Sequence, residues 1–274
     1  MSNNQVSGAR KRAALSWIAA WILAAGSIPF SQSARSQAPP AQSQVQAPDW
    51  AQPGSSTHKQ VPPPADFHRP TFTADKPVGI FTAQSDIGGP LVPGSADYDA
   101  ATGAYTIHSA GYNIWYQRDD FRFLWKKMSG DVSLSGDATF PNPDGYGDRK
   151  VVLVIRQSLE DDAQEAMLGE HGVGMTHLAW RSDRGAQMQD MSYRFGGKLT
   201  DIHPKRIGIE KHGDSIAIFI SLTGEPMHQF GPPITMHFEE PFYVGIGFCS
   251  HLPTTVDTGV VANVSLQNAA GQVR

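Results

Sequence analysis

The strongest constraint on the fold is a ten-residue stretch near the carboxyl end, residues 242–251, in which residue character alternates. Alternate side chains of a β-strand point to opposite faces of the sheet. One face would carry large apolar side chains: Phe242, Val244, Ile246 and Phe248. The other would carry an aromatic ring, an imidazole and small residues between them: Tyr243, Gly245, Gly247, Cys249 and His251. Glycine inside a strand often marks a close approach to the backbone. The second face is therefore either the floor of a binding groove or a surface on which another part of the chain packs.

The chain from about residue 71 onwards consists of short apolar segments separated by glycine- and proline-rich turns. Two hairpins are the clearest, over residues 96–107 and 206–220. Residues 150–156 form a nearly continuous apolar run, which is typical of a central strand covered on both faces. The only predicted helix, over residues 159–167, is short. This pattern predicts an all-β sandwich or jelly roll of antiparallel sheets.

The amino terminus has the layout of a secretory signal peptide. A basic group at residues 10–12 precedes an apolar run over residues 13–30, and small residues follow. We expect a signal peptide over residues 1–33, a disordered linker rich in Pro, Gln and Ser over residues 34–70, and one folded domain over residues 71–274. An uncleaved membrane anchor is the alternative for the first segment, although Gly26 and Pro29 interrupt it. The expected location is periplasmic or secreted, with membrane contact only through this segment.

Charge and cysteine content narrow the functional classes. The net charge is −4 and no basic block occurs in the folded part, so nucleic acid is not an expected partner. Cys249 is the only cysteine, so no disulfide can form within the chain. A domain of this length can be held by its core alone. Cys249 lies among apolar residues and is expected to be a packed side chain.

Two arginines end apolar strand faces and are the main candidates for ligand binding. Arg156 shares a face with Val152 and Val154, and Arg181 shares one with His177. A guanidinium group in such a position needs acceptors, which sugar hydroxyls or carboxylates can supply. The predicted groove combines these donors with rings that could stack on a sugar: Arg156, Arg181, Tyr243, His251 and Trp115. Alternatively, each arginine pairs with a structural carboxylate such as Asp119, Asp120 or Asp131.

A series of short motifs in order resembles the concanavalin A-like jelly-roll modules of bacterial secreted proteins, a type with no assigned function. The motifs lie at residues 86–88, 94–98, 114–115, 120–123, 129–131, 154–159, 180–181, 243–246 and 250–251. Such modules often accompany glycoside hydrolases or follow TolB-type propellers, so the resemblance implies this fold and glycan binding. One departure is residues 221–228, which lack the tryptophan that such modules carry after a late hairpin. If that tryptophan packs in the core, His228 or Phe230 must replace it; if it stacks on sugar, this module lacks that stacking surface.

Other residue patterns point only weakly to catalysis or metal binding. Residues 160–165 fit a loose Glu-x-Asp-x-x-Glu pattern of some glucanases, but they lie in a polar connector. His237 and Glu239 could form an acid–base pair, without a visible third partner. Asn142, Asp144 and Asp148 offer oxygen ligands for calcium without a known loop spacing. No catalytic residue, cofactor or metal site is therefore predicted, with calcium as the exception to test.

These observations predict an exported, non-catalytic module that binds glycan or another cell-envelope polymer on the concave sheet. A carbohydrate-active enzyme using a groove carboxylate or histidine is one alternative. A protein-interaction module of the envelope is the other.

Overall fold

The computed structural model describes residue 64 and residues 66–193 and 203–274. The proposed signal peptide and most of the proposed linker lie outside these residues. No helix that could cross a membrane occurs among the residues described. Residues 66–70, at the end of the proposed linker, contact the domain: the Phe67 ring packs edge-on against Tyr112, and the guanidinium group of Arg69 lies 3.2 Å from the carboxylate of Asp120.

The described residues form two antiparallel sheets and no helix, which confirms the predicted all-β jelly-roll class. Sheet I has the order β1 (Phe72–Ala74), β2 (Ala83–Ile87), β6 (Arg118–Met128), β16 (Phe242–Cys249), β8 (Lys150–Arg156), β9 (Glu165–His171), β10 (Thr176–Arg181) and β11 (Gln189–Tyr193), with β5 (Asn113–Trp115) paired to β6. Sheet II has the order β14 (His228–Gln229), β13 (Ser215–Ser221), β12 (Arg206–His212), β7 (Val132–Thr139), β17 (Asp257–Asn268), β4 (Ala104–Ser109) and β3 (Ser95–Asp99), with β15 (Ile234–Thr235) paired to β13 and β18 (Gly271–Gln272) paired to β17.

The main core lies between the two sheets. Phe242, Val244, Ile246 and Phe248 are fully buried there, as the alternation in β16 predicts. They face apolar side chains of sheet II such as Ile209. Burial of this area is the main force that holds the sandwich together. Phe230 packs against this core while His228 is exposed, so Phe230 can occupy the place of the missing tryptophan.

Both predicted hairpins are confirmed, as β3–β4 and β12–β13. The predicted helix over residues 159–167 is wrong. Its first half is a turn, and its second half starts β9, where Glu165 pairs with Arg156 of β8. The backbone N–H of Gln157 also donates to the carbonyl of Gln164. Sheet pairing on both sides of β9 therefore overrides a weak local helix preference.

The sandwich has two ends, which we call the lower and the upper end. The lower end holds the β6–β7 turn around Gly130 and the β12–β13 turn around Gly213. The upper end holds the loop of residues 140–149, which leaves β7 and enters β8. A cleft opens at each end.

Candidate functional site

The outer face of sheet I, which points away from sheet II, is covered by the chain itself. Tyr243, Gly245, Gly247 and Cys249 do face outward, as predicted. Tyr243 and Cys249 belong to a second apolar cluster that includes Ile114 of β5 and Met188, which precedes β11. A methyl group on Gly247 would lie 2.7 Å from the Phe121 ring. The prediction that this face forms the floor of an open groove is therefore wrong. Other parts of the same chain pack on it, and the glycines leave room for them.

Arg156 and Arg181 meet beneath this cover in a cluster of four charges. Asp119 accepts from both terminal nitrogens of Arg181 at 2.8 and 2.9 Å and lies 3.3 Å from Arg156. Glu165 accepts from Arg156 at 2.8 Å and lies 3.6 Å from Arg181. All four side chains are 0% exposed. Burial, together with the neighbouring Asp119 carboxylate, raises the pKa of Glu165 to about 8, although both guanidinium groups act in the opposite direction.

The arginines are thus brought together on one face, as strand parity predicts, but they do not face a ligand. Two carboxylates and several carbonyls use their donors, including the carbonyl of Ala163, which accepts from Arg181 at 2.8 Å. The expectation that Arg156 and Arg181 line an accessible groove is corrected for this reason. Of the structural carboxylates expected as the alternative, Asp119 is the one found.

Trp115 and His251 are also buried rather than open to a ligand. Trp115 is 5% exposed, and its ring stacks at 5.6 Å on His177, which is fully buried. His251 lies just beyond β16 with φ +65°, so strand alternation no longer sets its direction. Its ring is stacked between those of Tyr112 and Tyr146. Both residues therefore stabilise the covering loops, a role that strand parity could not reveal.

Tyr243 is the accessible member of the predicted set. It lies at the lower edge of the outer face and is partly exposed. The ammonium group of Lys127 lies 5.2 Å from the centre of its ring, and the Trp125 ring meets it edge-on at 4.9 Å. The Tyr243 ring is thus held by its contact with Trp125, and it presents apolar surface beside the ammonium group of Lys127.

The lower-end cleft lies within a few residues of Tyr243. It has a volume of about 390 Å³ and is lined by both turns and by residues 237–240. Residues 237–243 connect it directly to Tyr243. The amide group of Gln157 fixes this segment through the main chain of Glu239, with bonds of 3.0 and 2.8 Å.

The lower-end cleft contains a hydrogen-bonded imidazole. The Nδ1 atom of His237 lies 2.9 Å from a carboxylate oxygen of Asp214, and its Nε2 atom lies 3.6 Å from Glu239. The hydrogen bond and the charge of Asp214 raise the pKa of His237. The pair of His237 and Glu239 predicted from sequence therefore has a third partner. Asp214 could not be found from sequence, because it lies in the β12–β13 turn and only the fold brings it to His237.

The remaining polar candidates are occupied by structural contacts. The amide oxygen of Asn142 accepts from the backbone of Asp144, and its amide nitrogen donates to Asp257. Glu165, the last residue of the carboxylate pattern, is buried in the ionic cluster. Across the described ranges, no group of three His, Cys, Asp or Glu side chains is arranged to hold a metal ion.

Comparison with solved structures shows the fold. A functionally unknown protein from Saccharomyces cerevisiae matches with a TM-score of 0.50 and 15% identity, over 73% of this chain and 97% of that protein. The carbohydrate-binding module CBM66 from Bacillus subtilis has a TM-score of 0.42 and 14% identity, over 64% and 92% of the two chains. The lectin UEA-II, solved with galactose, has a TM-score of 0.37 and 8% identity, over 70% and 95%. No protein-family model matches the chain, and no curated protein matches it either. The match at a TM-score of 0.50 shows that the chain shares an overall fold with that yeast protein, and the two antiparallel sheets described above form a β-sandwich.

Proposed function

We propose that this protein is an exported, non-catalytic glycan-binding module whose site combines Tyr243 with the lower-end cleft. The observation that carries the proposal is a partly exposed tyrosine ring, in contact with Trp125 and Lys127, that follows the cleft residue Glu240 by three positions in the chain; Asp214, His237 and Glu239 line the same cleft. The signal-like amino terminus supports export to the periplasm or the medium, where cell-envelope polymers are available.

The chemistry of the site suits a hydroxyl-rich ring. One face of a sugar ring is apolar and packs on an aromatic side chain, while its hydroxyls need both donors and acceptors. Asp214 and Glu239 supply acceptors, and the imidazole of His237 supplies a donor when it is protonated. Binding therefore needs neither a metal nor the buried arginines.

Affinity electrophoresis tests the proposal. The mature domain is run through gels that contain soluble xylan, β-glucan, galactomannan or levan, and the matched pair Tyr243→Ala and Tyr98→Ala is compared with it. Tyr98 is a 40% exposed tyrosine on β3, in the other sheet. We expect Tyr243→Ala to raise the dissociation constant about tenfold, which corresponds to about 1.4 kcal/mol.

Tyr98→Ala should migrate like the unchanged protein. Equal retardation of both variants would contradict the site, and the absence of retardation in every gel would contradict the function. The same gels are assayed for new reducing ends. Turnover that His237→Ala abolishes would establish the enzymatic alternative instead.

A further inference from the structure

A second cleft, of about 340 Å³, opens at the upper end of the sandwich. Thr139 and Phe140 line it from the end of β7, Arg149 lines it from the start of β8, and His203 lies before β12. None of the described residues that line it is acidic. The lower-end cleft differs in this respect, because four carboxylate side chains line it: Asp131, Asp214, Glu239 and Glu240.

Two carboxylates of the upper end, those of Asp257 and Glu170, lie behind the basic side chains of the cleft, while Asp144 in the loop of residues 140–149 is exposed. Arg149 is nearly buried, pairs with Asp257 at 3.2 Å, and has its guanidinium carbon 5.2 Å from the centre of the Phe140 ring. His203 is 44% exposed, and its Nδ1 atom lies 2.9 Å from Oε1 of Glu170, which is 0% exposed. Each cation is thus oriented by a buried or nearly buried acid.

Glu170 is the unusual member of this group. Its second oxygen, Oε2, is buried and has no hydrogen-bond partner among the described residues. Burial raises the pKa of Glu170 to about 7, although His203 acts in the opposite direction. The other charged groups near these strands form pairs of their own: Arg149 with Asp257, His171 with Asp148, and Arg206 with Asp137. Near neutral pH the charge behind the cleft therefore changes at Glu170.

We propose that the upper-end cleft binds an acidic sugar ring of the uronic acid type, with its carboxylate near Arg149 and His203 and its ring against Phe140, and that binding is tighter at acidic pH. A guanidinium group and an imidazole are suitable donors for a carboxylate. The volume is sufficient for one sugar ring.

The sign of the pH dependence follows from charge. An anion in the cleft is repelled by ionised Glu170 and attracted by protonated His203. Binding of the anion therefore favours uptake of a proton by the pair, and by linkage the affinity rises as the pH falls through about 7. This site shares no residue with the lower-end cleft, so each proposal can fail without the other.

Titration calorimetry of the whole mature protein with tri-galacturonate, at pH 6 and pH 8, tests the inference. Neutral galactotriose and a sulfated galactose oligomer are the comparison ligands. We expect tri-galacturonate to bind at least tenfold more tightly at pH 6 than at pH 8, and galactotriose not to bind at this cleft. If the sulfated oligomer binds equally well at both pH values, the cleft accepts anions in general and does not select a carboxylate. That result would overturn the assignment.

Variants distinguish a role in binding from a role in folding. Glu170→Gln keeps the size and the hydrogen-bonding capacity of the side chain, so it should retain binding and lose most of the difference between pH 6 and pH 8. Asp97→Asn, at an exposed aspartate of β3 that lines neither cleft, is the matched control and should retain the full difference. His203→Ala replaces a half-exposed side chain and should weaken tri-galacturonate binding at pH 6 at least fivefold. An unchanged pH difference in Glu170→Gln, or unchanged affinity in His203→Ala, would overturn the proposal.

Discussion

The two ends of the sandwich carry the same chemical pair in different surroundings. At the lower end, Asp214 and His237 are 2.9 Å apart and both are largely exposed. At the upper end, Glu170 and His203 are also 2.9 Å apart, but Glu170 is fully buried. Asp214 raises the pKa of His237, whereas burial raises the pKa of Glu170 to about 7 against the opposing effect of His203. Equal distances thus lead to different protonation behaviour.

Desolvation explains the difference. In water, an exposed carboxylate stays ionised and stabilises the imidazolium ion beside it. A buried carboxylate loses its hydration, so its neutral form becomes competitive even with an imidazole in contact. Protonation is therefore favoured at the histidine of the lower pair and at the carboxylate of the upper pair. The most deeply buried charged groups are those of the ionic cluster. All of its side chains are fully buried and line neither cleft: Asp119, Arg156, Glu165 and Arg181.

The largest effect on stability should come from removing one carboxylate of this buried ionic cluster. Asp119→Ala leaves two buried guanidinium groups with one carboxylate between them, so we expect a loss of about 3–5 kcal/mol in the free energy of unfolding. Urea unfolding followed by tryptophan fluorescence measures it. Asp214→Ala, at an exposed aspartate, is the matched control and should change the midpoint little. If both variants lost the same free energy of unfolding, burial would not be the reason why the two aspartates differ in their contribution to stability.

The next effect is the pH dependence of stability that Glu170 causes. Its pKa is raised from 4.5 to about 7 on folding, so its contribution is complete below pH 4.5 and is lost as the pH rises through 7. The full difference corresponds to about 3 kcal/mol. Relative to Glu170→Gln, the unchanged protein should therefore lose stability between pH 5 and pH 8. Urea midpoints at several pH values measure this, and parallel curves for the two proteins would contradict it.

The smallest effect concerns the exposed pair. Asp214→Asn removes the charge that raises the pKa of His237, so the imidazole should titrate at a lower pH than in the unchanged protein. Because a raised pKa stabilises the folded state only while the imidazole is protonated, this contribution is present at acidic pH and disappears as the pH rises through the folded value. Titration of the imidazole signals by NMR follows it. If the pKa of His237 is the same in Asp214→Asn as in the unchanged protein, Asp214 is not the cause of the raised pKa.

Local patterns were sufficient for the strands and for the core face of β16. Alternation is a property of a strand by itself, so Val244 and Ile246 could be assigned to the core from sequence. Parity also placed Arg156 and Arg181 on a common face, and they do share Asp119. The same alternation could not show that this face is covered, because the covering residues, such as Ile114 and Met188, are remote in the chain from β16.

Sequence patterns failed where a contact depends on two distant segments. The polar neighbours of Glu165 predict a connector or a helix, yet pairing with β8 makes it the buried partner of Arg156. His203 and Glu170 are 33 residues apart, and nothing in either local sequence relates them. Of the residues predicted to bind glycan, Tyr243 is therefore accessible, whereas the others are buried.

The sequence by itself determined the sandwich: alternating apolar residues and glycine-rich turns permit few other ways to bury the same side chains. Tertiary structure alone decided which polar groups meet water. Access to solvent depends on which distant loop comes to lie over a strand. Burial favours protonation of Glu170, whereas the exposed Asp214 favours protonation of His237.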